Sequence, residues 1–173
     1  IFLHQNDIIK FGDFTLASGK KSSYYIDLRL VASFPHIFRK MTKNLQKLVS
    51  EKTGLDNFDS LVAVPTGGLV IGSALAIETV KPLIYVRDKP KDYGTTKSIE
   101  GKIFSGMKVV LIDDVITTGN SVINAIKQLK DAGLSISDVY VIINRLEGAN
   151  NTLELEEVNL YQLTDVLEIT TIL

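Results

Sequence analysis

Short apolar runs alternate with longer amphipathic segments along most of the chain. The runs are rich in Val, Ile and Leu and predict buried strands, whereas the segments between them carry apolar residues at helical spacing. Because strands that alternate with helices form parallel sheets covered on both faces, the pattern predicts an α/β fold with a central, mostly parallel sheet flanked by helices. The predicted strands are Leu61–Val64, Leu83–Val86, Val109–Ile112 and Val139–Ile143, and Asn159–Leu163 is a further candidate.

Helix signals lie between the predicted strands. A segment that starts near Pro35 carries apolar residues at helical spacing, and Ser33 is its predicted N-cap. A second amphipathic helix is predicted over Ser121–Ala132, where the following Gly133 is typical of a helix end. A third helix, made of small and apolar residues, is predicted to reach about Val80. These helices supply the two layers that cover the sheet.

The N-terminal part of the chain does not fit this alternation. Residues 1–10 favour a short helix, and Thr15–Ser18 and Tyr24–Leu28 are predicted as two short strands around a turn at Gly19-Lys20. The hairpin either covers a planar ligand by stacking or is an edge hairpin without a ligand. The predicted organisation is one domain over residues 1–173, with a small N-terminal hood of about residues 1–30 and a core of about residues 31–173.

Composition and charge narrow the class of protein. A chain of 173 residues is long enough for one α/β domain with a proper core. The net charge of −1 indicates no general attraction to nucleic acid, and no apolar run approaches the ~20 residues of a membrane span. The absence of cysteine excludes disulfides and thiol chemistry and agrees with a cytoplasmic protein. The N-terminus, IFLHQNDIIK, is too polar for a secretory leader.

The segment VVLIDDVITTGNS, at positions 109–121, combines an apolar strand, two acidic residues and a loop of small residues before a helix. Free N–H groups and the positive end of a helix dipole favour a phosphate there, and small residues let the main chain approach it. Asp113 and Asp114 suit sugar hydroxyls or a divalent cation. The segment therefore predicts a phosphorylated-sugar site, although two acids before an ordinary turn remain the alternative. The predicted phosphate ligands are Ile116, Thr117, Thr118, Gly119, Asn120 and Ser121.

Further loops follow the other predicted strands and should line the same crevice, because ligands of such sheets bind at the carboxyl ends of the strands. The loop Thr66-Gly67-Gly68 offers a second anion cradle or simply a flexible helix start. Arg145 is placed to bind a carboxylate with two hydrogen bonds, or to pair with Glu147.

A long charged loop follows Val86. It has few apolar residues, so it is either a lid over the crevice or a surface excursion without a ligand. As a lid, it would bring positive charge to a departing pyrophosphate. The cations in question are Arg87, Lys89, Lys91 and Lys97.

Four blocks of the sequence resemble known enzymes. Residues 109–121 resemble the phosphoribosyl-pyrophosphate (PRPP) binding motif of type I phosphoribosyltransferases. Phe14–Arg29 is similar to the F-x-L-x-S-G and Y-x-D-x-R blocks of the orotate phosphoribosyltransferases in that family, and Asn144–Gly148 is similar to their D-R-x-E-G segment. Their catalytic loop is matched by Arg87, Lys91, Asp92, Gly94 and Ile99-Glu100-Gly101, so that the four blocks span about residues 8–148 in the same order.

The resemblance implies a type I phosphoribosyltransferase fold and a reaction. Orotate and PRPP would give orotidine 5′-monophosphate (OMP) and pyrophosphate, a step of pyrimidine (UMP) biosynthesis, with Mg²⁺ held mainly by the substrate. The resemblance also implies a homodimer in which the lid is shared across subunits. A fused decarboxylase is not expected at this length, whereas a separate partner decarboxylase remains open.

By the same resemblance, Asp113 and Asp114 are expected at the ribose, Lys91 is the expected main catalytic cation, and Arg87 is expected beside pyrophosphate. Arg145 is expected to face the orotate carboxylate. Tyr24 and Tyr25 are expected along the base. The other substrate-binding residues expected are Lys20, Thr66, Gly67, Gly68, Lys89, Tyr93 and Ile116–Ser121.

The sequence also departs from the family pattern. Asp88 and Ala17 stand where a lysine is common, and Tyr93 stands where a histidine is common. These replacements lower the positive charge around pyrophosphate.

Two other functions remain as alternatives. A purine phosphoribosyltransferase would share the acidic pair but would not be expected to combine Arg145 with the N-terminal block. A PRPP-binding regulator without catalysis would not need the Arg and Lys of the lid.

Overall fold

Two short strands near the N-terminus pair with each other and stay apart from the main sheet. The computed structural model describes residues 1–15, 19, 21–87 and 98–172. Helix α1 (Phe2–Gln5) precedes strands β1 (Ile9–Thr15) and β2 (Lys21–Ile26), which form an antiparallel sheet. A hairpin is present, but its first strand ends at Thr15, where the predicted strand begins, and residues 16–18 lie outside the described residues. The second strand overlaps the predicted one, and the predicted helix over residues 1–10 is too long. Ile8 and Ile9 are buried, and the chain is already extended at Ile9.

The first long helix, α2 (Pro35–Lys52), is entered from a 3₁₀ helix over Leu28–Ser33. The prediction of Ser33 as N-cap is therefore wrong, because this residue belongs to the 3₁₀ turn and Phe34 occupies the cap position. Within the described chain, Phe34 makes no side-chain capping bond. Pro35 lowers the cost of the missing cap, since proline has no N–H that would need a partner.

The main sheet contains six strands among the described residues, and every neighbouring pair is parallel except the last pair at one edge. This arrangement confirms the predicted α/β fold. In spatial order the strands are β5 (Ile99–Glu100), β4 (Leu83–Val86), β3 (Ser60–Ala63), β6 (Lys108–Ile116), β7 (Ser135–Asn144) and β8 (Asn159–Asp165).

Apolar residues on the two faces of the sheet form two cores. One core joins α2 and α3 (Gly67–Thr79) to the sheet, and the other joins α4 (Asn120–Asp131) and α5 (Ala149–Glu154) to the opposite face. On β6, Val110 and Ile112 enter the first core while Val109 and Leu111 enter the second. Burying each such side chain stabilises the fold by roughly 1.5–3 kcal/mol. The two-sided burial explains why the strands are apolar without alternation.

Strand β6 extends four residues beyond the carboxyl end that its apolar run predicts. The run ends at Ile112, but the ladder with β7 continues to Ile116, which lies opposite Asn144. Asp113 and Asp114 therefore lie on the strand and not in the loop. The extension is possible because β7 offers main-chain partners along the whole length of β6.

The C-terminal region adds elements that the sequence pattern only partly predicts. The candidate strand over Asn159–Leu163 is present and extends to Asp165, and α6 (Val166–Ile172) follows it. Helix α5 was not predicted, because its six residues bury only Ala149 and Leu153. No helix in the described ranges has the length and apolar character needed to cross a membrane.

A buried polar cluster lies at the amino end of β7. The Thr53 hydroxyl donates to Asp138 at 2.9 Å, so the phenol of Tyr140 donates to the Thr53 oxygen at 2.5 Å. The Tyr140 ring also stacks on Tyr161, with 5.1 Å between centroids. Burial raises the pKa of Tyr140 to about 12, because the phenolate would lose its hydration.

We predict that Tyr140 contributes to alkaline unfolding. Its folded-state pKa lies above the unfolded value of about 10, so its contribution to stability is complete below pH 10 and is lost as pH rises towards 12. Denaturant titrations from pH 8 to 11 should show a shallower fall in unfolding free energy for Tyr140→Phe than for the unaltered chain. Tyr25→Phe, on an exposed residue, is the control. Equal slopes in all three proteins would contradict the prediction.

Candidate active site

Three of the predicted site segments lie at one edge of the sheet. The segment Pro65–Gly68 follows β3, the acidic pair and its loop end β6, and Arg145 follows β7. These strands are parallel neighbours, with Ala63 opposite Ile112 and Ile116 opposite Asn144. Their carboxyl ends therefore open into one crevice, as the sequence predicts.

The loop after β6 leads directly into the N-terminus of α4. Gly119 occupies the N-cap with φ of 87°, a left-handed conformation that glycine adopts without strain. Within the described chain no side chain caps the first turn of α4, so its leading N–H groups remain available to an anion. Beside them is a cavity of about 70 Å³, lined by Asp113, Val115, Ile116, Thr117, Thr118, Gly119, Asn120, Ser121 and Val122.

The two aspartates point in different directions, because successive residues of a strand face opposite sides. Asp113 is buried, lines the cavity of the loop and accepts a hydrogen bond from the Asp114 N–H at 2.9 Å. Asp114 is half-buried and lies against the start of α3, next to Gly67. Asp113 also lies near the start of α3, because a Cβ at Gly68 would be 2.9 Å from its Oδ1. The pair thus lines the crevice between the start of α3 and the loop before α4.

Gly67 and Gly68 allow α3 to pack closely on this strand. A Cβ at position 67 would overlap the Asp114 carboxylate, and one at position 68 would lie 2.7 Å from the Ile112 carbonyl oxygen. The absence of side chains at these positions is therefore required by packing. The carboxylate of Asp114 also lies at the N-terminal end of α3. Thr66 is exposed in the same loop, and the peptide bond between Pro65 and Thr66 is cis.

Arg145 connects the end of β7 to the N-terminal hairpin. Its Nε donates to the Tyr24 hydroxyl at 3.2 Å, and its Nη2 donates to the Ser22 hydroxyl at 3.2 Å. The guanidinium also lies over the Tyr24 ring, 4.5 Å from the centroid, and its Nε is 2.9 Å from Glu147 Oε1. The predicted pairing with Glu147 is therefore present, and the contacts with Tyr24 and Ser22 of the hood are additional to it. Among the described residues, Nη1 has no partner and remains able to donate.

Tyr24 and Tyr25 lie on opposite faces of β2. Ser22, Tyr24 and Ile26 are half-buried, whereas Tyr25 is exposed and its ring lies 5.7 Å from that of Phe14. Only Tyr24 therefore contacts Arg145. The prediction that both rings lie along one base is not tested by these contacts, but they place only Tyr24 beside the guanidinium.

Comparison with known proteins gives a consistent result. Residues 31–158 match the family model described as Phosphoribosyl transferase domain. The orotate phosphoribosyltransferase of Cenarchaeum symbiosum is 49% identical, and the match covers 97% of this chain and 84% of that one. The chain belongs to the orotate phosphoribosyltransferase family.

Solved structures agree with this family. The orotate phosphoribosyltransferase of Aeropyrum pernix is 33% identical with a TM-score of 0.86, covering 97% of this chain and 93% of that one. The UMP synthase of Leishmania donovani is 32% identical with a TM-score of 0.83, covering 95% of this chain but only 35% of that longer chain. The predicted type I phosphoribosyltransferase fold is thereby confirmed.

Several residues expected from the family pattern lie outside the described part of the chain: Lys20, Lys89, Lys91 and Tyr93, together with Ala17, Asp88 and Lys97. Their roles stay predictions.

Arg87, the first residue of the predicted lid, lies within the described part of the chain. Its Nη1 lies 3.5 Å from Glu100 Oε1, across the β4–β5 pair, and it lines a cavity with Ser121 and Asn124 of α4. Its expected place beside pyrophosphate also stays a prediction.

The family block Y-x-D-x-R contains an ion pair to which sequence reasoning gave no role. Arg29 donates from Nε to Asp27 Oδ1 at 2.6 Å and from Nη2 to Asp27 Oδ2 at 2.7 Å. This bidentate bond holds the pKa of the Asp27 carboxyl below its usual value and raises the pKa of Arg29. Asp27 also accepts from the Arg29 N–H at the start of the 3₁₀ helix. The pair therefore stabilises the start of the 3₁₀ helix that leads from β2 to α2.

Ser22 is another site residue that sequence reasoning missed. It contacts Arg145 across 123 positions of sequence. The only local signal is the alternation that places Ser22 on the same face of β2 as Tyr24.

We predict that Gly67→Ala impairs catalysis more than stability. The new methyl group displaces the Asp114 carboxylate, a flexible group, so phosphoribosyltransferase kcat/KM should fall by roughly 10²-fold or more. The unfolding free energy should change by less than about 2 kcal/mol. Steady-state assays and denaturant titrations measure the two effects.

Two variants calibrate this prediction. Gly68→Ala meets main-chain atoms, so it should instead destabilise the fold, whereas Ser73→Ala, on the exposed face of the same helix, should change neither property. Unaltered kcat/KM in Gly67→Ala would show that the position of Asp114 does not matter to catalysis.

Proposed function

We propose that this chain transfers the 5-phosphoribosyl group of PRPP to orotate. The anomeric C–O bond to pyrophosphate breaks, pyrophosphate leaves with the electron pair, and a ring nitrogen of orotate forms the new bond and loses its proton. The products are OMP and pyrophosphate. The observation that carries this proposal is Arg145, a buried cation beside an aromatic ring, at the same edge of the sheet as the sugar-phosphate site.

Arg145 is the feature that favours orotate over a purine. Its unused Nη1 donors suit the carboxylate of orotate, and purine bases have no carboxylate to offer. Tyr24 holds the guanidinium and presents its ring face at the same place. A planar pyrimidine acid satisfies both groups at once.

The remaining roles follow from charge. The N–H groups and hydroxyls of Ile116–Ser121 bind the 5′-phosphate of PRPP at the start of α4. Asp113 and Asp114 accept hydrogen bonds from the ribose hydroxyls, and their negative charge stabilises the positive charge that develops on the ribose as pyrophosphate leaves. The lid cations Arg87 and Lys91 are proposed to neutralise pyrophosphate.

Mg²⁺ is proposed as the accompanying ion. Asp113 and Asp114 are hard oxygen donors, the type of ligand that Mg²⁺ prefers. No group of three metal-binding side chains occurs among the described residues, so most ligands would come from the oxygens of PRPP itself. When bound, the ion supplies charge neutralisation at the leaving pyrophosphate.

An assay with purified protein tests the reaction. Pyrophosphate should form with orotate, PRPP and Mg²⁺, but not with hypoxanthine, guanine or adenine, and EDTA should abolish turnover. Arg145→Lys keeps a charge but loses the planar fork, so it should raise the KM for orotate by about tenfold or more and affect the KM for PRPP less. Turnover of a purine alone, or no turnover with any base, would refute the proposal in favour of the corresponding alternative.

A cytoplasmic location is also proposed, which the cysteine-free composition suits.

A homodimer is proposed as well. The outward face of α3 exposes Ile77 (80% exposed), and the residue after the helix, Val80, is 89% exposed. Helices with apolar residues on all sides are normally covered, so a second subunit is proposed to cover this face.

We predict that Ile77→Glu weakens the dimer, because it places a charge in the proposed contact. Sedimentation velocity should show a dimer for the unaltered chain and a monomer at the same concentration for the variant. Lys43→Glu, an exposed change on α2, is the control for altered charge. A monomeric unaltered chain would contradict the proposal.

A further inference from the structure

Asn144, the last residue of β7, is 0% exposed, and its side chain is saturated with hydrogen bonds. Its Nδ2 donates to Asn150 Oδ1 at 2.9 Å and to Gln162 Oε1 at 2.8 Å. Its Oδ1 accepts from the Leu146 N–H at 2.9 Å. We name Asn144, Asn150 and Gln162 the amide cluster. It joins β7, α5 and β8 at the carboxyl edge of the sheet, where the candidate site lies.

Hydrogen bonds to β6 and to the amide cluster hold the backbone at Arg145 and at the residue after it. The Arg145 N–H donates to the carbonyl of Ile116 at 2.9 Å, and the next N–H, that of Leu146, is held by Asn144. Leu146 has φ of 57°, a left-handed conformation that is costly for a residue with a side chain. The hydrogen bond that Asn144 Oδ1 accepts from the Leu146 N–H compensates this cost. The resulting turn lets Glu147 approach Arg145 Nε while the guanidinium reaches Tyr24.

The same cluster adjoins the phosphate loop. Asn150 follows Ala149, which is fully buried and packs against Gly119; a Cβ at Gly119 would lie 3.6 Å from that of Ala149. Gly119 is the N-cap of α4, where the 5′-phosphate is proposed to bind. The amide cluster, built on the buried Asn144, therefore lies between the Arg145 turn and the anion-binding turn.

We infer that Asn144 is a positioning residue that sets the place of Arg145 relative to the phosphate loop, through the Leu146 turn and the contacts of α5. The inference rests on the proposed function, since it assumes that Arg145 binds the carboxylate of orotate. The arrangement depends on matched polarity. The two amide hydrogens of Asn144 meet two amide oxygens, and its own oxygen meets a main-chain N–H.

The test compares two replacements of Asn144. Asn144→Leu removes all three hydrogen bonds at similar volume. Asn144→Asp keeps an acceptor for Leu146, and rotation of the Asn150 and Gln162 amides lets them donate to the second oxygen. Steady-state KM values for orotate and PRPP, kcat, and unfolding free energy are measured for both variants. Asn151→Ala, a change at an exposed residue of α5 next to Asn150, is the matched control.

A positioning role predicts a split between the two substrates. Asn144→Leu should raise the KM for orotate by about tenfold, as expected for one misplaced charge-assisted hydrogen bond, and the KM for PRPP by less than about threefold. Asn144→Asp should recover most of the orotate affinity, and Asn151→Ala should match the unaltered chain. If both KM values rise alike, or neither changes while stability falls, the inference is overturned.

A second variant applies if Asn144→Leu does not fold. Asn150→Ala removes one partner from the amide cluster and should raise the KM for orotate in the same direction by about threefold, at a smaller cost in stability. An unchanged KM for orotate in Asn150→Ala would overturn the inference. Failure of the unaltered chain to use orotate would refute the proposed function and the inference with it, whereas normal turnover with no effect of these variants would refute the inference alone.

Discussion

The parallel ladder between β6 and β7 determines where both ends of the candidate site lie. Because Ile116 pairs with Asn144, the anion-binding loop and Arg145 start from adjacent points on two hydrogen-bonded strands. Neither strand can slide without breaking the ladder and exposing buried residues, such as Leu111 on one face of the sheet and Ile112 on the other. The separation between the two binding groups is therefore a property of the sheet, and loop conformation only refines it.

Close packing at the start of α3 is the second constraint on the site. Gly67 and Gly68 were predicted as a cradle for an anion, and the structure shows that their missing side chains make room for the acidic strand. The two explanations are compatible, since the main-chain N–H groups of a helix start can face a ligand while its Cα atoms contact Asp114. The close packing holds Asp114 half-buried at the N-terminal end of α3.

The fold was predictable to the extent that it depends on local pattern. Apolar runs located β3, β4, β6, β7 and β8, because burial on both faces leaves a continuous signal. The extension of β6 through Asp113 and Asp114 was not predictable, since it depends on main-chain partners supplied by β7. Helix α5 was missed for a similar reason, because six residues are too few for a helical period to be recognised.

The site shows the same division between local and distant signals. The acidic pair, the small loop and Arg145 lie at the carboxyl ends of predicted strands and could be placed from the sequence. Their partners could not, because Ser22 and Gln162 meet Arg145 and Asn144 only after folding. The alternation along β2 separates Tyr24 from Tyr25, a distinction that the adjacent pair of letters conceals.

Strand β7 has two polar ends with different tasks. Its amino end carries the Asp138 and Tyr140 cluster, and its carboxyl end carries Asn144 and leads to Arg145. The hydrophobic middle of the strand, from Val141 to Ile143, separates them. Heat tolerance and catalytic geometry can therefore evolve independently within one secondary-structure element. A lineage that adapts to a new temperature can rebuild the amino-end hydrogen bonds while leaving the substrate crevice as it is.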